Sequence, residues 1–404
     1  MSSDTQDRAG APARASLLND PKARGLFYQI VVVVGLALFF WFIVSNTIHN
    51  LQRLNIASGF GFLENTAGFG TSQSLINYSE SSSYGDAILV GLLNTILVAV
   101  IGIFFATLLG FLIGVARLSN NWIISKLAYC YVELLRNVPL LLQIFFWYFA
   151  VLRSIPGKRE KWSLFDTFHL NIVGLRGPAP IFEPGSQFMF YALIVAIGAA
   201  FGLSRWARKR QDATGQQFPS FWAGLGLIIG LPTVVCLLTG VPVHLEYPVF
   251  NETGPILKRG FELGTGFNLI PELLALVLAL SLYTAAFIAE IVRAGIQAVS
   301  HGQTEAAQAL GIRQGLTLRL VVIPQAMRVI IPPLTSQFLN LTKNSSLAVA
   351  IGFPDLVSMG GTVLNQTGQA LEVIAIWMAV YLSLSLLTSA FMNWYNQRMA
   401  LVER

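Results

Sequence analysis

The chain of 404 residues is 54% hydrophobic and only 11% charged, with a formal net charge of +6. Soluble domains carry about 25% charge, so this composition excludes an ordinary soluble protein and points to helices whose outer surface faces lipid. The positive balance is not a nucleic-acid signal, because no basic cluster is interleaved with aromatics, and two cysteines in apolar stretches, Cys130 and Cys236, support neither a disulfide framework nor a metal site and are expected in the core.

A helix crosses a bilayer with about 20 apolar residues, and eight candidates follow in chain order. Residues 1–25 are polar, Ala-rich and expected to be mobile. The run 26–48 follows Arg8, Arg14, Lys22 and Arg24; it is too long for a signal peptide and lacks a small-residue cleavage site, so it reads as an uncleaved first span. After a long connection, 49–86, the second span covers 87–116. Its Gly102, Ala106, Gly110 and Gly114 recur every four residues, a stripe that lets another helix approach closely. Further spans are expected at 128–152, 187–203, 218–240, 268–293, 329–350 and 370–392. The segments 153–186 and 241–267 are too long for turns and are expected to form a small external subdomain. Lys and Arg mark cytoplasmic loops, and the basic loop 204–217, with Arg205, Arg208, Lys209 and Arg210, places both termini in the cytoplasm. The segment 153–186, with Arg153, Lys158, Arg159, Lys161 and Arg176, runs against this, but long loops obey the rule less well.

No GxxxxGK[ST] phosphate loop is present, so ATP and Mg²⁺ are not expected on this chain. No Ser/His/Asp set or HExxH motif occurs, and neither catalytic nor metal-ligating residues are assigned. The informative stretch is 300–328, between two spans on the expected cytoplasmic side. Thr304 to Leu310 reads as a short helix, with Glu305 at its dipole-favoured start and Gly311 suited to the left-handed turn that ends it. Ala306 and Ala307 offer a small surface for close approach. A second short helix is expected to stop near Pro324.

The run Glu305–Ala306–Ala307, three residues, Gly311, nine residues, then a hydrophobic pair ending in Pro324 resembles the signature loop of ABC importer permeases. Here Val321–Val322–Ile323–Pro324 departs from the usual Ile and Leu. Residues 87–152 and 268–398 resemble the polar-amino-acid branch of that family through Gly91–Leu92–Leu93–Asn94–Thr95, Glu133–Leu134–Leu135–Arg136–Asn137–Val138–Pro139–Leu140 and Lys343–Asn344–Ser345–Ser346–Leu347. The second run has Arg-Asn-Val-Pro where Arg-Gly-Thr-Pro is usual, which puts the local turn in question. The longer layout is similar to the general L-amino-acid importers. The resemblance implies an all-α membrane protein of about eight spans with the type I importer permease fold. It implies a first helix and loop at 26–86, a core split into 87–152 and 268–404, and an insertion at 153–267. In the coupling loop, 298–325, Glu305, Ala306, Ala307, Ala309 and Gly311 would dock on a separate ATPase dimer that binds ATP and Mg²⁺. It further implies a second permease, related but different, an external binding protein that delivers an amino acid, and a bacterial inner membrane.

Ser336, Asn340, Lys343 and Asn344 stand at i, i+4, i+7 and i+8 and share a helix face. A lysine at mid-bilayer costs about 2.5–3.5 kcal/mol. The stripe reads either as a substrate site, with Lys343 meeting a carboxylate, or as interhelical hydrogen bonding with Lys343 reaching toward the interface. Gln143, Thr284 and Ser345 are further pathway candidates. Glu133 with Arg136, and Glu290 with Arg293, are spaced as i, i+3 ion pairs. The rival readings are an ion-coupled secondary transporter or channel, which would show inverted repeats and embedded acids, and a membrane enzyme or scaffold. Which amino acids are carried is not set by the sequence.

Overall fold

The structure, a computed structural model, describes residues 21–53, 58–252, 259–262 and 264–399. The expectation for 1–25 falls outside them up to residue 20; from Pro21 the chain is already helical. Helix α1 (Pro21–Arg53) is apolar and exposed on almost every described side chain. Among the described residues, seven helices are long and apolar enough to cross a membrane, or eight when one sharply bent pair counts as a span.

Helix α2 (Tyr84–Ala116) starts at a capping box, in which Ser83 and Asp86 each bond the other's backbone N–H, satisfying two orphan donors at once. Its small stripe is buried. A Cβ on Gly110 would sit 2.5 Å from Ile288 Cγ2, and one on Gly114 2.8 Å from the Ala289 carbonyl. Both contacts lie on α7 (Pro271–Gln297), so α2 and α7 pack nearly backbone to backbone. The main core grows from this seam: Val98, Leu276, Leu280, Ile288, Ile330 and Leu341 are all fully or almost fully buried.

The third span is not one straight helix. It breaks into α3 (Trp122–Asn137) and α4 (Leu140–Phe145), bent by 106°. Pro139 forces the residue before it out of the helical region, and Val138 is extended at φ −96°, ψ 126°. The Arg-Asn-Val-Pro variant therefore makes a sharp turn. Cys130 on α3 is exposed rather than in the core, and Cys236 is half-buried.

Residues 153–269 contain α5 (Ser186–Thr214) and α6 (Ser220–Leu238), which pack chiefly against each other. Helix α5 runs about 43 Å at 1.5 Å per residue, so Arg205, Arg208, Lys209 and Arg210 lie on its last turns rather than in a loop. The flanking segments carry short strands: β1 (Trp162–Leu164), β2 (Phe168–Asn171), β3 (Gly174–Gly177), β4 (Ala179–Phe182), β5 (Val243–Glu246), β6 (Phe250–Asn251), β7 (Gly260–Phe261) and β8 (Phe267–Leu269). They form an antiparallel sheet in the order β1-β2-β3-β8 and the pairs β4-β5 and β6-β7. Leu175 lies opposite Leu269, which ties the sheet to the start of α7. The all-α expectation thus holds for the bundle, and the small subdomain on it is β.

After α7 come α8 (His301–Ala309), α9 (Gln314–Thr317) and α10 (Ile323–Asn344). The second short helix does not stop at Pro324. A π turn over Leu318–Val322 joins α9 to α10, and Pro324 occupies the first turn of α10, where its missing N–H costs nothing. Helices α11 (Leu356–Thr367) and α12 (Ala370–Met399) close the bundle.

At the end of the bundle away from α8, the turn before α11 is clamped to α2. The Asn94 amide donates to the Pro354 carbonyl (2.9 Å), Leu356 N donates to Thr95 Oγ1 (3.0 Å), and a Cβ on Gly91 would meet Asp355 O at 2.9 Å. Asp355 is fully buried; one carboxylate oxygen caps α11 through Ser358 N at 2.9 Å and the other has no partner among the described residues. The segment lies between the last two spans. Burial pushes the Asp355 carboxyl up to about 7, against the backbone donors that pull it down.

Two outcomes are expected. Gly110→Ala overpacks the α2–α7 seam and destabilises by about 1–3 kcal/mol, whereas Gly202→Ala on α5, where a Cβ meets nothing within 4 Å, stabilises by about 0.5–1 kcal/mol; melting of the detergent-purified protein distinguishes the two, and equal effects would contradict the packing described. The raised Asp355 pKa means the folded state holds more protons between pH 3.8 and about 7, so stability falls as pH rises through that window and levels off above it. Asp355→Asn should remove that part of the slope between pH 5 and 8.

Candidate functional site: helix α8 and the polar face of α10

Helix α8 is held by few contacts and presents most of its surface outward. Ala307 is buried and Thr304 half-buried, while Glu305, Ala306, Ala309 and Leu310 are exposed, Leu310 to 79%. The helix begins at His301, so Glu305 sits past the first turn; its carboxylate meets His301 Nδ1 at 3.0 Å instead of capping the helix. The end is built as expected. Gly311 adopts φ +70°, its N–H bonds Gln308 O at 2.9 Å, and Ile312 N bonds Ala307 O at 3.0 Å. These are the two bonds of a Schellman motif, which fixes the exit direction of the chain. Gln325 Nε2 donates to Gln303 Oε1 at 3.3 Å, linking α8 to α10.

Behind α8 the ends of the spans are tied together. Arg117, which caps α2, pairs with Glu290 on α7, and Arg293 pairs with the same carboxylate. A Cβ on Gly295 would clash with Ile330 Cγ1, so α7 and α10 also touch closely here. The ends of α2, α7 and α10 behind α8 are thus tied to one another. The Glu290–Arg293 pair was legible from its spacing; the Arg117 partner, 173 positions away, was not. The expected Glu133–Arg136 pair does not form. Arg136 lies over the Phe287 ring at 5.2 Å, and Asn137 Nδ2 donates to Glu133 O at 2.7 Å.

The pathway candidates separate into two groups. Ser336, Asn340 and Lys343 are exposed and Asn344 is half-buried on one face of α10, while Ile330, Ile331, Leu334, Leu341 and Thr342 bury the opposite face. Lys343 lies in the last turn, where a cation suits the helix dipole, and no carboxylate among the described residues is within ion-pair distance. Gln143, Thr284 and Ser345 are interior. Gln143 Nε2 donates to Leu135 O and Val138 O, both at 2.9 Å, supplying carbonyls freed by the α3–α4 break. Ser345 Oγ donates to Thr342 O at 2.7 Å, and Thr284 is packed within α7's buried side. Among the described residues no three His, Cys, Asp or Glu side chains converge on a metal position.

The family pattern described as binding-protein-dependent transport system inner membrane component matches residues 213–401. The general L-amino acid transport system permease protein AapQ of Rhizobium johnstonii is 56% identical over 96% of this chain and 95% of its own length. The putative amino-acid ABC transporter permease protein YhdX of Escherichia coli is 52% identical over 95% of this chain and 96% of its own. BztB of Rhodobacter capsulatus, a glutamate/glutamine/aspartate/asparagine transport system permease protein, is 41% identical over 96% of each. Among solved structures, a chain of an amino acid ABC transporter aligns at 21% identity and a TM-score of 0.45, over 78% of this chain and 95% of that one. Identity of this level over nearly the full length of the relatives decides the assignment: the chain belongs to the binding-protein-dependent transport family and is a multi-pass membrane permease component, not an enzyme.

Proposed function

We propose that the chain is a permease subunit of an ATP-driven importer of L-amino acids in a bacterial inner membrane, with both termini and α8 in the cytoplasm. ATP and Mg²⁺ are bound by a separate ATPase dimer, an external binding protein delivers the substrate, and a second, related permease completes the pathway. The observation that carries this reading is α8: a short helix with an exposed small-residue and Leu310 surface, mounted on the tied ends of α2, α7 and α10. Packed elements shift as units between discrete arrangements, so closure of an ATPase pair on α8 moves the spans rather than deforming the loop. The named substrates of the near-full-length relatives support amino acids as the cargo.

The open face of α10 suits a place on the pathway. Ser336, Asn340 and Lys343 span part of a helix about 30 Å long from Ile323, at 1.5 Å per residue. Lys343 supplies a positive charge for a substrate carboxylate at the end away from α8. The embedded acids and inverted repeat of an ion-coupled carrier are not needed for this reading.

The expected outcome is uncoupling. Gly311→Val strains a φ of +70° that β-branched residues scarcely adopt, and Glu305→Lys reverses the one carboxylate of α8. Either variant, co-reconstituted with its partners in proteoliposomes, should lose at least about tenfold of ATP-driven uptake, with the permease still inserted and folded by its melting curve. Unimpaired uptake in both would remove the coupling role from α8.

A further inference from the structure

The end of the bundle opposite α8 carries a cavity that the coupling helix and the α10 face do not account for. Its volume is about 290 Å³, and it is lined by Tyr148, Leu152, Arg153, Ile172, Pro271 and Glu272. At roughly 30 Å³ for each water's share of the liquid, that is room for about ten waters, the scale of a mid-sized amino acid. Three separate parts of the chain meet here. Tyr148 and Arg153 come from the helical segment that continues α4, Glu272 from the first turn of α7, and Ile172 from the turn between β2 and β3.

The charges are arranged unusually. Tyr148 Oη donates to Glu272 Oε1 at 2.7 Å, and the same side chain interacts electrostatically with Arg153. The Arg153 guanidinium lies over the Tyr148 ring at 5.7 Å and the Phe149 ring at 5.3 Å, contacts that hold a cation without neutralising it. Glu272 and Arg153 do not form an ion pair with each other; the phenol stands between them. A carboxylate and a guanidinium therefore flank one cavity, and the donors of Arg153 that Tyr148 does not engage belong to a planar fork that matches a carboxylate. Leu152, Ile172 and Pro271 supply apolar wall, as is usual where a few polar groups fix a small ligand's orientation.

We propose that this cavity is a subsite for the zwitterionic head of an amino acid, Arg153 taking the α-carboxylate and Glu272, positioned by Tyr148, taking the α-ammonium. The proposal rests on the amino-acid reading of the transporter and deepens it. Both charges read the part that all amino acids share, and side-chain identity is left to the open side of the cavity. The β subdomain gains a role as well: it brings Ile172 to close one wall.

The test uses the detergent-purified permease complex without binding protein, with labelled L-glutamine as the probe. Its decarboxylated amine, 4-aminobutanamide, and the deaminated 2-hydroxyglutaramate serve as competitors. Wild type should prefer L-glutamine at least tenfold over each. Arg153→Gln should lose the preference over the amine alone, and Glu272→Gln the preference over the hydroxy acid alone, a crossed pattern that general destabilisation does not produce. The same preparations are assayed for ATP-driven L-glutamine uptake with binding protein and ATPase present. Uptake by wild type with analogue preferences unchanged in both variants, or with no L-glutamine binding to the permease, overturns the subsite and leaves the transport reading standing. No uptake by wild type overturns both.

Discussion

The contact on which the rest of this molecule depends is the close approach of α2 to α7. Lipid chains are as apolar as leucine, so burial alone gives two spans little reason to associate; dispersion contacts between well-fitted surfaces have to do it. Gly110 and Gly114 let Ile288 and Val292 of α7 into the space that side chains would occupy, and Gly102 does the same for Leu341 of α10. With α7 fixed in this way, its two ends are fixed too. One end carries α8 and the Arg117–Glu290–Arg293 cluster, and the other carries Glu272 and the strand that joins the β subdomain. The same seam anchors the broken third span, because Tyr131 Oη on α3 donates to the Leu282 carbonyl at 2.8 Å.

Breaking helices inside such a bundle is costly unless every freed backbone group finds a partner. The turn at Val138–Pro139 meets this demand with two amides. Asn137 takes the Glu133 carbonyl, and Gln143 takes those of Leu135 and Val138. A membrane-embedded Gln is naturally suspected of binding cargo, yet here its donors are spent on the chain itself. The turn before α11 is handled in a similar way by Asn94, Thr95 and the Trp377 indole, which donates to Leu356 O at 3.1 Å. Polar residues in these spans thus hold irregular backbone in place, and that use has to be subtracted before any is assigned to substrate.

The sequence carried the spans well, because length and hydropathy are properties of a segment by itself. It also carried the glycine stripe and Gly311, where a spacing or a single residue type has one dominant physical use. What it hid depends on distant partners or on weak local pattern. The strands of the insertion are two to four residues long; β1 is exposed throughout, and Phe165 and Asp166 in the β1–β2 turn take positive φ without glycine, so no period-2 signal arises. The passage from α9 into α10 was hidden because a proline reads as a stop, whereas a π turn before it places Pro324 where a proline is tolerated. Cys130 was read as core from its apolar neighbours, but in a membrane helix apolar and buried are different properties. Arg136 was given to Glu133 by spacing alone, and the Phe287 ring on α7, which it actually covers, is not visible from α3.

That last distinction separates two kinds of open surface on the molecule. Helix α1 and the outer sides of α5 and α6 expose Leu, Ile, Val and Phe, which lipid satisfies at no cost. The open face of α10 exposes Ser336, Asn340 and Lys343 in a span, and hydrocarbon cannot satisfy those groups: a central lysine alone costs about 2.5–3.5 kcal/mol. Position relieves part of this, since Lys343 lies in the final turn and can reach toward the interface, but Asn340 and Ser336, one and two turns earlier, have no such reach. A face of this kind is stable only against water or protein. That is the physical ground on which the second permease is proposed to lie across from α10, with a hydrated path between the two: water or protein has to meet the polar stripe.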